Sequence, residues 1–98
     1  MALTEKQKKH LRQLGHGLDP VLLTGGGGLS PGLLAELDGT LAHHELIKVR
    51  VRAADRAARD ELIHALCEAS GAELVQRIGH VALLWRPNPE RRRVTLPS

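Results

Sequence analysis

Four consecutive glycines, Gly25, Gly26, Gly27 and Gly28, stand between the apolar run Pro20-Val21-Leu22-Leu23-Thr24 and the pair Ser30-Pro31. The run reads as a short buried strand, and serine followed by proline reads as a helix N-cap and first helical position. The glycines therefore lie where a first helical turn offers unpaired N–H groups and a partial positive charge, which is a seat for an anion. A backbone without Cβ can approach a phosphate closely and take positive φ without strain. Two familiar phosphate-binding patterns do not fit. A P-loop needs Lys followed by Ser or Thr after its last glycine, where this chain has Leu29-Ser30. The dinucleotide fingerprint needs a glycine at its sixth position, which is Ser30 counted from Gly25 and Pro31 counted from Gly26.

The second candidate set is cationic. The formal net charge is only +3, but the charges are segregated. No Lys or Arg lies between Gln13 and Ile47 or between Asp60 and Gln76, stretches that carry Glu36, Asp38, Glu45, Glu61, Glu68 and Glu73. The cations gather in Lys8, Lys9 and Arg12, in Lys48, Arg50 and Arg52, and in Arg91, Arg92 and Arg93. One side of the molecule is thereby suited to a polyanion. Trp85 is the single aromatic among 98 residues, so successive bases have no row of rings to stack on. Contacts to phosphates must dominate.

Other signals point to structure. His44-Glu45-Leu46-Ile47-Lys48 begins like a zinc-protease motif but has Lys where the second His belongs. Six histidines and one cysteine show no metal-ligand spacing, and no metal or cofactor is expected. His43 and His44 read as the end of a helix, Cys67 as a small packing residue, and Trp85 as core or core edge.

Seven elements must position these residues. Thr4 and Gln7 form a capping box for a helix to about Gly15, with Leu11, Leu14 and Leu18 at helical spacing. Lys9, Arg12 and His16 share its other face, with Lys8 one turn before Arg12. The strand at 20–24 follows, then a helix from Ser30-Pro31 that buries Leu33, Leu34, Leu37 and Leu41. Leu46 to Arg52 alternates, with Ile47, Val49 and Val51 on one face and Lys48, Arg50 and Arg52 on the other. Asp55 caps a helix with Ala58, Leu62, Ile63, Leu66 and Ala69 on its apolar stripe, and Gly71 ends it. Strands near 73–78 and 81–86 flank a Gly79-His80 turn.

The order α-β-α-β-α-β-β predicts an α/β (α+β) fold with a mixed four-stranded sheet. Two crossovers are expected to make parallel pairs, and the closing hairpin an antiparallel one. The cations on the alternating strand cannot be buried unpaired, so both crossover helices should share one face and the first helix should cover part of the other. Residues 1–87 form the expected domain. Residues 88–98, rich in proline and arginine, read as a basic mobile tail.

These residues resemble a known family. The Gly-x-x-Gly loop at Gly25 to Gly28, the stretch from His43 to Val51, the Gly79 turn and the end Leu84-Trp85-Arg86-Pro87 look like the CRM domain (chloroplast RNA splicing and ribosome maturation), nearest to its stand-alone bacterial YhbY-like members. The resemblance spans nearly the whole chain. It implies an RNA-binding domain with a KH-like Gly-x-x-Gly loop, associated with precursors of the large ribosomal subunit. The middle loop positions are often polar or basic in the family and here are Gly26 and Gly27, so backbone N–H groups would carry the loop's contacts. The expected partner is RNA, held by Gly25 to Gly28, Lys8, Lys9, Arg12, Lys48, Arg50 and Arg52 without catalysis. Two alternatives are an enzyme acting on a phosphorylated small molecule at the same glycines and a protein-interaction module using Glu36, Asp38, Asp60 and Glu61. No general base, nucleophile or metal cluster accompanies the loop to favour the first. The lack of a secretory pattern or a membrane-length apolar stretch, together with one unpaired cysteine, sets the expectation of a cytoplasmic location and no membrane partner.

Overall fold

A computed structural model describes residues 3–24 and 29–97, with 22–24 as backbone. Helix α1 (Glu5–Gly15) opens on the reciprocal cap, in which the Thr4 hydroxyl accepts from the Gln7 N–H and the Gln7 side chain accepts from the Thr4 N–H. Strand β1 (Pro20–Thr24) precedes α2 (Pro31–His44), whose first turn donates its Leu33 N–H to the Ser30 hydroxyl. Strand β2 (Leu46–Val51) leads to α3 (Arg56–Ser70), bounded by the Asp55 carboxylate on the Ala58 N–H and by Gly71 at φ +75°. Strands β3 (Glu73–Ile78) and β4 (Val81–Trp85) close the chain around Gly79, which turns at φ +59°.

The four strands are ordered β1-β2-β4-β3. β1 runs parallel to β2, while β4 is antiparallel to both β2 and β3. The sheet is mixed as expected, but the second parallel pair does not form, because β4 takes the place beside β2. Burial explains the choice. Ala82, Leu83, Leu84 and Trp85 are all buried, so β4 suits a central position covered on both faces. β3 exposes Arg77 and Ile78 and buries only Val75, which suits an edge.

Helices α2 and α3 lie together on one face. Leu37 and Leu41 of α2 and Ile63 and Leu66 of α3 pack with Ile47, Val49 and Val51, Ala82 and Leu84. On the other face Leu11 packs with Leu46, Val75, Leu83 and Trp85. Helix α1 sits close to the sheet there, since a Cβ on Gly15 would lie 2.8 Å from a Leu83 methyl. That approach covers only one end of the face. Leu14 and Leu18, Val21 and Ala69 are exposed, although their spacing placed them on apolar stripes or in a buried strand.

Residues 88–97, expected to be a mobile tail, lie against the domain. Val94 and Leu96 pack on the cluster under α1, and the Gln7 side chain donates to the Pro97 carbonyl at 3.2 Å. Glu45 holds this segment. It ends α2 at φ 63°, with its N–H on the Leu41 carbonyl and its own carbonyl on the Arg86 N–H. Its fully buried carboxylate accepts from the N–H groups of Asn88, Arg93 and Val94. Local sequence does not reveal this role, because the donors to Glu45 lie 43 to 49 residues away along the chain.

Burial alone would raise the Glu45 pKa, but the three N–H bonds and the nearby Arg92 charge outweigh it and hold the carboxyl below its ordinary value of 4.5. A depressed folded pKa adds stability that is fully present above the ordinary value and is lost as pH falls through the lower folded one. Glu45→Ala should cost about 2–4 kcal/mol near pH 7, since it leaves buried donors unmatched. Urea unfolding from pH 7 to 3 should show the gap between parent and variant closing on acidification. A variant as stable as the parent at pH 7 would overturn the assignment.

Candidate nucleic-acid interface

The alternation of β2 survives in three dimensions. Ile47, Val49 and Val51 are buried towards α2 and α3, while Lys48 is half-buried and Arg50 exposed on the α1 face. β2 ends at Val51, so Arg52 is an exposed residue just past the strand. Beyond the end of α1 the uncovered sheet forms a groove of about 450 Å³, with Lys48 and Arg50 in its lining beside His16, Gln76 and the apolar Val81 and Leu83. Asp19 also lines it, the one acid to do so.

The glycines themselves, Gly25, Gly26, Gly27 and Gly28, lie outside the described residues. Their flanks are placed. Thr24 pairs with Val51 and Leu23 with Arg50 in the parallel ladder, so the chain enters the glycines beside the end of β2 that carries Arg50 and is followed by Arg52. It leaves them into the capped first turn of α2. Arg50 and Arg52 therefore stand in the chain on either side of Val51, the residue that pairs with the last position of β1 before the glycines.

Lys8, Lys9 and Arg12 form a separate group on α1, with Lys9 exposed and the other two half-buried. They do not line the groove. Lys8, Arg12 and His16 follow one another at intervals of four, so their stripe runs down the helix to His16, which does line it. No ion pair among the described residues involves Lys8, Lys9, Arg12, Lys48, Arg50 or Arg52. The arginines that do pair lie elsewhere. Arg86 holds Asp38 at 2.7 Å and the Ser70 carbonyl at 2.9 Å, tying α2 to the end of α3. Arg59 and Arg77 both donate to the Gly79 carbonyl and reach Asp60.

Two other residue types are settled by burial. Trp85 is 3% exposed and belongs to the cluster under α1, so it offers no ring for a base. Cys67 packs at the margin of the core, and burial, followed by Glu68 and Glu73, pushes its thiol up, away from the reactive thiolate. Among the described residues no group of three or more His, Cys, Asp or Glu side chains is placed to hold a metal ion, and no helix is long and apolar enough to cross a membrane. Sequence reasoning found the cations but not the groove's floor, because Val81, Leu83 and Gln76 reach it only through the position of β4 between β2 and β3.

The fold and the face define an α/β domain that presents unpaired cations around a glycine-bearing edge. Residues 3–86 match the CRS1 / YhbY (CRM) domain, and the chain belongs to that family. It is 46% identical over 95 residues to a Haemophilus influenzae protein named "RNA-binding protein", covering 97% of this chain and 95% of the relative. A Pseudomonas aeruginosa protein named as a probable RNA-binding protein is 49% identical over 90 residues, covering 92% and 86%. The solution structure of a hypothetical Staphylococcus aureus protein, described there as a candidate for RNA binding, superposes with a TM-score of 0.82 at 40% identity, covering 98% of this chain and all of that one.

Since Lys48, Arg50 and Arg52 hold no ion pair, replacing all three with Gln should change folding stability by no more than about 0.5 kcal/mol each. Chemical denaturation tests this. A loss of several kcal/mol would mean that these residues serve the fold.

Proposed function

We propose that this chain is a non-enzymatic RNA-binding protein of the cytoplasm that associates with precursor large-subunit ribosomal RNA and assists ribosome maturation. The observation that carries the reading is the set of cations that hold no ion pair among the described residues, of which Lys48 and Arg50 line a groove on the α1 face and Arg52 follows the end of β2 that pairs with the strand leading into the glycine run. The names of the relatives support RNA as the ligand. Gly25 to Gly28 would contribute backbone N–H groups at the start of α2, and Lys8, Lys9 and Arg12 would extend the contact along α1. Purifying the protein from cells, checking its absorbance ratio and sequencing retained RNA tests the ligand directly. Recovery free of RNA, or with random fragments only, would sink the ribosomal assignment.

Binding through phosphates releases counterions, so affinity must depend on salt. If ~4 to 6 phosphates of duplex-like RNA are neutralised, affinity should fall by two to three orders of magnitude between ~50 and ~200 mM salt. Fluorescence anisotropy with a labelled large-subunit rRNA transcript measures this, and a flat response would refute phosphate-dominated binding. In the same assay the variant with Gln at positions 48, 50 and 52 should bind more weakly with a shallower slope.

The glycine run has its own test. Gly26→Asp with Gly27→Asp places two negative charges at the proposed phosphate seat and should lower affinity at least tenfold. Gly26→Lys with Gly27→Ala keeps the added bulk but reverses the charge. It should retain or raise affinity if electrostatics dominate, and lose it if close backbone approach is what counts. An aspartate variant that binds like the parent would reduce the run to a connector.

A further inference from the structure

A second cationic surface lies beside the C-terminal half of α1. Arg91, Arg92 and Arg93 are exposed, but the chain on both sides of them is fixed. On one side the Asn88 N–H donates to Glu45, and its side-chain amide donates to the Ala42 carbonyl at 2.8 Å. On the other, the Arg93 and Val94 N–H groups reach the same carboxylate, and Val94 and Leu96 enter the core. The Arg91 N–H also closes a turn on the Asn88 carbonyl. Three arginines in a segment tied at its two ends are presented by the fold, in contrast to those of a free tail.

One acid, the exposed Glu90, precedes them in the same segment, and the neighbouring end of α2 is cationic or neutral. His43 and His44 end α2 with their rings edge to face, 4.7 Å apart, and both are exposed. His43 is held below its ordinary pKa chiefly by His44, then by slight desolvation, then by the charges of Arg93 and Arg91. Arg93 and His44 line a groove of about 490 Å³ together with His10 of α1, Leu14, Leu18 and Leu46. No acid lines it, and the nearby Glu45 has its carboxylate occupied by backbone donors. None of the three arginines takes part in an ion pair among the described residues.

The two grooves belong to one face. Leu46, Lys48 and Arg50 alternate along β2 on the α1 side, and Leu18 lines both grooves. Leu46 and Arg50 are about 13 Å apart along the strand. We infer that Arg91, Arg92 and Arg93, with His10, His43 and His44, form a second phosphate-binding surface, continuous with the Lys48–Arg50 groove around Leu18 and taking the backbone of the same RNA. Glu45 and Asn88 are its positioning residues. The inference rests on the RNA-binding reading proposed above. An acidic protein segment is the competing occupant, and continuity with the first groove favours RNA.

The test uses the full-length chain and the labelled large-subunit rRNA transcript. Replacing Arg91, Arg92 and Arg93 with Gln should weaken binding at least tenfold at ~150 mM salt and lower the slope of log affinity against log salt by about 2 to 3. The variants Asn88→Ala and Glu45→Gln keep every arginine, and Glu45→Gln also makes the chain one charge more positive. Simple attraction by a loose basic tail predicts unchanged or tighter binding for both. A positioned surface predicts several-fold weaker binding, with faster hydrogen exchange at the Arg93 and Val94 amides. Asn88→Ala leaves the buried carboxylate in place, so it reports even if Glu45→Gln fails to fold. If the triple variant binds as the parent does while the variant at 48, 50 and 52 is weakened, the inference falls and the RNA reading stands. A parent that binds no RNA overturns both.

Discussion

The fold turns on a conflict built into β2. Its odd-numbered positions, Ile47, Val49 and Val51, are among the most deeply buried side chains in the molecule. The alternate positions Lys48 and Arg50 cannot follow them inside, because an unpaired charge taken out of water costs several kcal/mol even after relaxation. β2 is also central, bonded to β1 on one side and β4 on the other, so it cannot relieve the conflict by sitting at an edge. Hence α2 and α3 must share the face that Ile47, Val49 and Val51 present. The remaining helix can cover the second face only where β2 is apolar, at Leu46. The open groove is what remains when a cationic stripe is threaded through the middle of a small sheet.

The stretch His43-His44-Glu45-Leu46-Ile47-Lys48 resolves that conflict residue by residue. The histidines complete α2 in solvent. Glu45 reverses the chain at positive φ, a conformation that costs a non-glycine residue of order 1 kcal/mol or more. Three backbone donors on its carboxylate and the backbone bonds to Leu41 and Arg86 offset that cost. Leu46 then enters the cluster under α1, Ile47 enters the one under α2 and α3, and Lys48 reaches the groove. A segment that looked like a family signature is thus a hinge in which each side chain meets a different environment.

What could be read from the sequence was local. Thr4 with Gln7, Ser30 with Pro31, Asp55, Gly71 and Gly79 each act within a few residues of themselves, and each stands in the role its type suggested. The period of β2 was legible for the same reason. The place of β4 was not, because both β3 and β4 could pair beside β2, and the choice depends on which has two apolar faces once the helices are packed. The seating of the C-terminal segment was not legible in its composition. Prolines and arginines suggest disorder unless something in the fold binds their backbone, and the group that does so, Glu45, lies 43 to 49 residues away in sequence.

For the proposed RNA contact this division of labour has a consequence for selectivity. With Trp85 buried and no Phe or Tyr in the chain, no large aromatic ring is available to hold successive bases by stacking. Phosphate contacts fix register and orientation but carry no sequence information directly. Discrimination must then come from shape, that is, from how the spacing of cations matches the path of a folded backbone. Such matching requires cations whose positions do not adapt to each ligand. The backbone that carries Lys48 and Arg50 is held in a central strand, that of Lys8 and Arg12 in a capped helix packed at Gly15, and that of Arg91 to Arg93 between chain segments bound on either side. An arrangement of this kind favours structured RNA over an unstructured strand of equal charge, because a flexible strand must give up conformational entropy to match a path that a folded one already follows.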